Sequence, residues 1–244
     1  MPVIDVVGTS TRLAYDLQPG DPAAPTLVYC HGLLSSRGGE RADMLEQWCA
    51  ARAWSCLRFD FQGRGGSSGS LADITLSRQL GDLGAILGLL PDGARPVLFG
   101  SSFGGLTAAW YAAQHPEQIR ACVLLAPAFG FIDALLTKAG LTGALHWRDT
   151  GTLEFEAAPG VAIHYDLVAD AAGYPDLLLA QSLRTPTLVF HGRDDPTVPY
   201  KRSVAFAEAA DAVAALQLFR HGDHLLYPEM PQILGQVDAF VNAC

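Results

Sequence analysis

Residues 96–116, PVLFGSSFGGLTAAWYAAQHP, pass in one step from a strand pattern to a helix pattern. Val97, Leu98 and Phe99 make a short apolar run, and residues 106–114, LTAAWYAAQ, carry the apolar period of a helix. Between them Gly100-Ser101-Ser102-Phe103-Gly104 fits G-x-S-x-G, the pattern of a strand that ends on a sharp turn and exposes a serine hydroxyl at a helix N-terminus. The same pattern recurs at Gly65-Gly66-Ser67-Ser68-Gly69. That copy follows its strand with a run of turn residues and leads into no immediate helix. Ser102 is therefore the expected nucleophile, and Ser67 a loop serine.

Outward from this elbow, short apolar segments alternate with longer amphipathic ones. TLVYCHG, SCLRFDF, PVLFGSS, ACVLLAP, TLVFHGR and LQLFRHG each read as a buried strand entering a Gly or Pro signal. Their apolar residues are nearly continuous, as they are when helices cover both faces of a parallel sheet. Helices are expected at about 40–52, 76–90, 105–114, 200–212 and 231–243, which gives an open α/β sheet. VIDVV and RLAYDL, either side of Gly8-Thr9-Ser10, read as an antiparallel hairpin at its edge. One long insertion, about 128–183, interrupts the alternation with apolar helical stretches and two short strands, TLEFEA and VAIHY. Insertions of that length are usually functional, so this one is read as a lid on a single domain spanning 1–244.

A serine hydroxyl is a poor nucleophile until a base takes its proton, an acid orients the base and donors meet the oxyanion. After TLVFH the turn GRDDPTVP places Asp194 and Asp195 at the C-terminal end of a strand, where ligands of open α/β sheets gather. One of them is the candidate acid. LQLFRHGDHLLYP places His221 and His224 in the loop past the last strand, and one of these is the candidate base. TLVYCHGLLSS ends a strand at His31-Gly32, so the N–H of Leu33 can join that of Phe103 around a developing oxyanion. His31 precedes the nucleophile and is given a loop-orienting role.

The composition narrows the partner. A net charge of −9 with no Lys/Arg cluster argues against nucleic acid or an acidic membrane surface, leaving a small molecule. No apolar run is long enough to span a bilayer, and residues 1–10 carry no export signal, so a cytoplasmic setting is expected. Five cysteines without a C-x-x-C pair fit neither a disulfide scaffold nor a zinc site. No metal or other cofactor is expected; the oligomeric state is unknown from sequence.

Taken in order, HG at 31–32, D-x-x-G-x-G-x-S at 60–67, G-x-S-x-G at 100–104, H-G-x-x-D-x-x-V-P at 191–199 and GDH at 222–224 resemble the α/β-hydrolase superfamily over nearly the whole chain. The resemblance implies the α/β-hydrolase fold, with a mostly parallel sheet of about eight strands, helices on both faces and a short lid. It also implies Asp195 rather than Asp194 as the acid, His224 as the base, and a structural loop around Ser67. CLRFDFQGRGGSSG, the short lid and YDLVADAAGYPDLL are similar to the acyl-protein thioesterase branch and its bacterial serine esterase relatives.

The implied activity is hydrolysis of carboxylic esters or thioesters of short to medium acyl chains through a Ser102-His224-Asp195 triad and an acyl-enzyme. Leu34, Phe129, Phe131 and Leu225 are the expected substrate contacts, with Leu135 and Leu136 near them. The rival readings are a non-catalytic small-molecule binding protein on the same fold, or a hydrolase acting on amide or C–C bonds.

Overall fold

The computed structural model describes residues 2–154 and 159–244. A hairpin of β1 (Val3–Asp5) and β2 (Arg12–Gln18) leads to β3 (Thr26–Cys30), α1 (Glu40–Ala50), β4 (Ser55–Phe59) and α2 (Leu76–Leu87). The elbow follows as β5 (Val97–Ser101) and α3 (Phe103–Gln114), and then β6 (Ala121–Leu125). The insertion comprises α4 (Phe131–Thr150), β7 (Thr152–Glu154), β8 (Ala162–His164), α5 (Asp166–Ala171) and α6 (Asp176–Ser182). β9 (Thr187–Gly192), α7 (Tyr200–Ala209), β10 (Val213–Phe219) and α8 (Met230–Ala243) complete the chain.

The main sheet has the order β1-β2-β4-β3-β5-β6-β9-β10. From β4 to β10 every pair is parallel, and the β1–β2 and β2–β4 pairs are antiparallel. This is the α/β-hydrolase fold. The near-continuous apolar strands behave as two-sided strands must. Val28, Leu98, Leu124 and Val189 face α2, α3 and α7, while Leu27, Phe99, Val123 and Phe190 face α1 and α8.

β10 is the strand whose expected bounds miss. It runs 213–219 rather than 216–222, because Val213 pairs with Thr187 across a bulge and the residues after Phe219 turn. Its first half, VAAL at 213–216, is alanine-rich and partly exposed at the sheet edge, so it lacks the bulky apolar run that marks the central strands.

In the insertion, Gly140 (φ 66°, ψ 175°) breaks α4 into two helical halves. Thr152–Glu154 and Ala162–His164 pair antiparallel, as TLEFEA and VAIHY predicted; residues 155–157 of the first segment lie outside the described residues. The insertion is held together internally by buried Trp147 of α4, whose indole N–H donates to the Ile163 carbonyl of β8 at 2.9 Å. It also meets the body at Ser77 and Tyr174, whose hydroxyls lie 2.7 Å apart, and where Tyr174 packs edge-on against Trp110. No helix among the described residues is long and apolar enough to cross a membrane.

The second G-x-S-x-G closes the loop after β4. Ser67 Oγ donates to the Asp60 carbonyl at 2.5 Å and accepts the Ala14 N–H at 2.9 Å, pinning the loop to β2. The buried Asp60 carboxylate takes the N–H groups of Arg37 and Gly66 and the Arg37 guanidinium. Beside it, Asp82 on α2 accepts the Gln62 N–H at 2.8 Å. Burial lifts the Asp82 carboxyl to about 7, against smaller opposing pulls from the Gln62 amide and Arg78.

A carboxyl raised on folding binds its proton more tightly in the native state. Stability should therefore fall as pH rises from the unfolded carboxyl range to about 7, and then level off. Asp82→Asn keeps an acceptor and removes the charge. It is expected to be close to neutral at pH 4 and to stabilise by about 1–3 kcal/mol at pH 8. Thermal melts of both proteins at the two pH values check this; an equal effect at both would mean that Asp82 does not titrate in this window.

Candidate active site

The elbow is strained where a serine must be presented. Ser102 sits at φ 53°, ψ −121°, a conformation costly for a residue with a Cβ, directly before the first residue of α3. The turn is held from both sides: Ser102 N–H donates to the Leu125 carbonyl at 2.9 Å, and its own carbonyl accepts the Ala128 N–H at 3.0 Å. The two glycines leave no room for anything larger. A Cβ on Gly104 would lie 2.3 Å from the carbonyl oxygens of Cys30 and His31, and one on Gly100 would lie 2.6 Å from Gly105 Cα.

The loop after β3 lies against the nucleophile, since a Cβ on Gly32 would come within 3.3 Å of Ser102 Cβ. His31 holds this loop. Its Nε2 accepts the Phe61 N–H at 3.1 Å, so Nδ1 carries the proton and donates to the Gly32 carbonyl at 2.7 Å. Burial drops this imidazole to about 4, which keeps it neutral and in that tautomer. Phe103, as the first residue of α3, has an N–H with no intrahelical acceptor. It thus sits one residue from Ser102, and Leu33 one residue beyond Gly32, as an oxyanion hole built from these two amides requires.

The duplicated acids and bases pair separately. Asp195 Oδ2 accepts from His224 Nδ1 at 2.7 Å, with the carboxylate fully buried. Asp194 instead meets His221 at 3.3 Å on the surface, where both side chains are more than half exposed. Asp195 Oδ1 takes the N–H groups of Thr197 (2.7 Å) and Val198 (2.9 Å). Its Oδ2 also meets His191 Nε2 at 3.1 Å. Burial alone would raise this carboxyl, but the hydrogen bonds from His191, His224 and Val198 outweigh it and hold the group well below the usual carboxylate range.

His224 rides on an Asx turn in which Asp223 Oδ1 accepts the N–H groups of Leu225 and Leu226, both at 2.9 Å. Among the described residues no hydrogen bond joins Ser102 Oγ to His224; such bonds commonly tighten only when substrate is bound.

Two residues here escaped the sequence reading. His191 begins the H-G-x-x-D motif, yet a buried histidine at a strand end gives no sign that it will support the acid. Arg41 reaches the site from α1, and its guanidinium donates to Ser101 Oγ at 2.7 Å and to the Leu225 carbonyl. A basic residue in the first turn of an amphipathic helix reads as surface.

Two cavities open at the start of the insertion; one of them reaches the elbow at Phe103, and Ser102 and His224 line neither. One of about 240 Å³ is lined by Phe103, Leu106, Phe131 and Leu167, with Asp176 and Arg202 at its polar part. The other, of about 350 Å³, shares Gly130, Phe131 and Arg202 with it and adds Phe129 and Val198. Phe131 lines both cavities and Phe129 the second, and the centroid of the Phe131 ring lies 5.0 Å from that of Phe103. Leu34 and Leu225 line neither cavity. They are 39% and 46% exposed. Leu135 and Leu136 also line neither, and pack against the main core.

A serine on a strained strand-to-helix turn, with a buried carboxylate–imidazole pair carried on the loops after β9 and β10, has the parts of a serine hydrolase on an open α/β sheet. The sequence matches the family described as alpha/beta hydrolase fold over residues 25–144, and the prolyl oligopeptidase family over residues 87–237, more than half of the chain. The chain belongs to the α/β-hydrolase superfamily, and its prolyl oligopeptidase match spans the nucleophile, acid and histidine segments.

Human mitochondrial palmitoyl-protein thioesterase ABHD10 is 28% identical over 224 residues, which cover 87% of this chain and 70% of that protein. Human acylamino-acid-releasing enzyme is 26% identical over 93% of this chain but only 32% of its own length. Among solved structures, mouse alpha/beta hydrolase domain-containing protein 10 superposes with a TM-score of 0.87 at 23% identity, covering 99% of this chain and 98% of that one. Est1E from Butyrivibrio proteoclasticus with bound ferulic acid gives 0.83 at 22% identity, covering 100% and 98%.

Proposed function

We propose that this protein hydrolyses carboxylic esters or thioesters by acyl transfer through Ser102. His224 takes the serine proton as Ser102 attacks the acyl carbon, and returns it to the leaving alcohol or thiol. Asp195 fixes the imidazole with its proton on Nδ1, so that Nε2 is the free base. The amides of Leu33 and Phe103 stabilise the oxyanion, and water then releases the acid from the acyl-enzyme. The observation that carries this reading is the buried Asp195–His224 pair, 2.7 Å apart, behind a serine at φ 53°. A palmitoyl-protein thioesterase among the relatives supports thioester chemistry.

A fluorophosphonate should label Ser102 in the folded protein. Folded protein that turns over no ester and resists the label would favour a binding role. Amide hydrolysis is the second reading, favoured by the prolyl oligopeptidase match. Faster turnover of a p-nitroanilide than of the matched p-nitrophenyl ester would select it.

For the acyl group we propose short to medium chains, held in the cavity of about 240 Å³ behind Phe103 and Phe131. That volume is below the ~300–1,000 Å³ of typical drug-sized sites. Each methylene buried there contributes about 0.8 kcal/mol, or roughly fourfold in kcat/KM, until the space is full. A ladder of p-nitrophenyl esters should rise and then fall. Phe131 also lines the larger neighbouring cavity, so Phe131→Ala is expected to move the peak to longer chains. A flat ladder, or a peak that Phe131→Ala leaves in place, would put the acyl group elsewhere.

A further inference from the structure

Arg41 is only 6% exposed, yet among the described residues it forms no ion pair with a carboxylate. Its neighbours on the same side of the fold behave differently: Arg37 pairs with Asp16 and Asp60, and Arg58 with Asp43 and Glu46. The partners of Arg41 are all neutral. They are Ser101 Oγ, the Leu225 carbonyl, the Tyr29 hydroxyl and the face of Tyr227, whose ring centroid is 5.1 Å from the guanidinium carbon. Its Nε has no hydrogen-bond partner among the described residues. A buried cation without a counter-charge is expensive, and an apolar side chain on this face of α1 would pack at lower cost.

What the cation reaches explains its presence. Ser101 precedes Ser102, and Leu225 follows His224, so one guanidinium spans the strand that presents the nucleophile and the loop that presents the base. The two ends are otherwise held independently. Ser102 is fixed by β6 and by Ala128, whereas His224 is fixed by Asp195 and by the Asx turn of Asp223. The peptide between Leu225 and Leu226 gives its N–H to Asp223 and its carbonyl to Arg41, and is so held from both sides one residue from the imidazole. Leu226 then adopts φ 52°, a conformation that a non-glycine residue keeps only when its surroundings impose it.

We infer that Arg41 is a positioning residue, setting the distance between Ser102 and His224 by holding Ser101 and Leu225 on one rigid fork. The inference rests on the triad reading given above. The planar fork matters because its two donors diverge at a fixed angle, which a lysine ammonium does not reproduce. Arg41 touches neither substrate nor reacting atoms; it acts on the register of the two groups that do.

The test is steady-state kinetics on one ester, with a thermal melt for every variant. Arg41→Met is expected to lower kcat by about 10- to 100-fold with KM within about twofold, as misplacement of reacting groups by about an ångström does. Arg41→Lys, retaining the charge but not the planar fork, should recover part of that loss. Ser101→Ala should cost a few fold alone and almost nothing further in the Arg41→Met background, because both changes break the same link. An unchanged kcat in Arg41→Met with only a lowered melting temperature would reduce Arg41 to packing, and a raised KM alone would make it a substrate contact; either overturns the inference.

Should Arg41→Met not fold, Ser101→Ala and Arg41→Lys decide it by the same kcat–KM split. Unaltered kcat in both refutes the link. Fluorophosphonate labelling of the wild-type protein separates this from failure of the triad. A wild type labelled at Ser102 and active on esters keeps the triad even if the Arg41 variants are normal, whereas an unlabelled wild type removes both.

Discussion

Ser102→Ala is expected to lower kcat for ester hydrolysis by a factor on the order of 10⁴ to 10⁶, while Ser67→Ala stays within a few fold of wild type. Both serines satisfy the same five-residue pattern, so the contrast isolates what the surrounding chain does to a hydroxyl. At Ser102 the strand ends, φ turns positive and the helix begins, leaving the side chain partly open beside Gly32. At Ser67 the hydroxyl is already spent, donating to the Asp60 carbonyl while accepting from Ala14. Ser67→Ala removes that acceptor from the edge of β2 and should cost stability rather than turnover, by about 1–2 kcal/mol. Kinetics and melting temperatures on the two variants separate these effects. A dead Ser67→Ala variant that melts normally would reverse the assignment.

The elbow was legible in the sequence because its constraints are local. A parallel strand, two glycines and a helix within some twenty residues all announce themselves by composition and period. The strands of the sheet centre were legible for a similar reason, being apolar on both faces; the start of β10 was not, because its small, partly exposed alanines carry little strand signal at the sheet edge. The choice between Asp194 and Asp195 needed the resemblance. Adjacent carboxylates in a turn differ only in which way the backbone points them, and that depends on Val198, Thr197 and His191 closing around one of the two.

Contacts made by long reach across the fold were invisible. Arg41 lies 60 residues from Ser101 and 184 from Leu225 in the chain, and nothing in its own helix marks the buried bonds it makes. Leu34 and Leu225 were expected in the pocket on proximity in sequence to the oxyanion hole and the base. Both are partly exposed and line neither cavity, and proximity in sequence does not say which way a loop side chain turns.

Asp195→Asn is expected to reduce kcat by about 10⁴ while Asp194→Asn remains near wild type, and the reason lies in which atoms the amide can replace. An asparagine oxygen at the Oδ1 position can still accept the N–H groups of Thr197 and Val198. That places the NH₂ group where Oδ2 now accepts from His224 Nδ1 and approaches His191 Nε2. A donor facing Nδ1 forces the proton of the imidazole onto Nε2, the atom that must be free to take the proton of Ser102. The geometry survives and the base is lost.

The same substitution has a signature in stability. The Asp195 carboxyl titrates below its usual range in the folded protein, so its stabilising effect is fully present above the unfolded carboxylate pKa and is lost as pH falls below it. Asp195→Asn should therefore lower the melting temperature at pH 7 more than at pH 3, where the wild type has begun to lose the same contribution. Asp194 is exposed and, among the described residues, pairs with an exposed His221. A collapsed kcat in Asp194→Asn beside a normal one in Asp195→Asn would exchange the two carboxylates, and with them the histidine that each one holds.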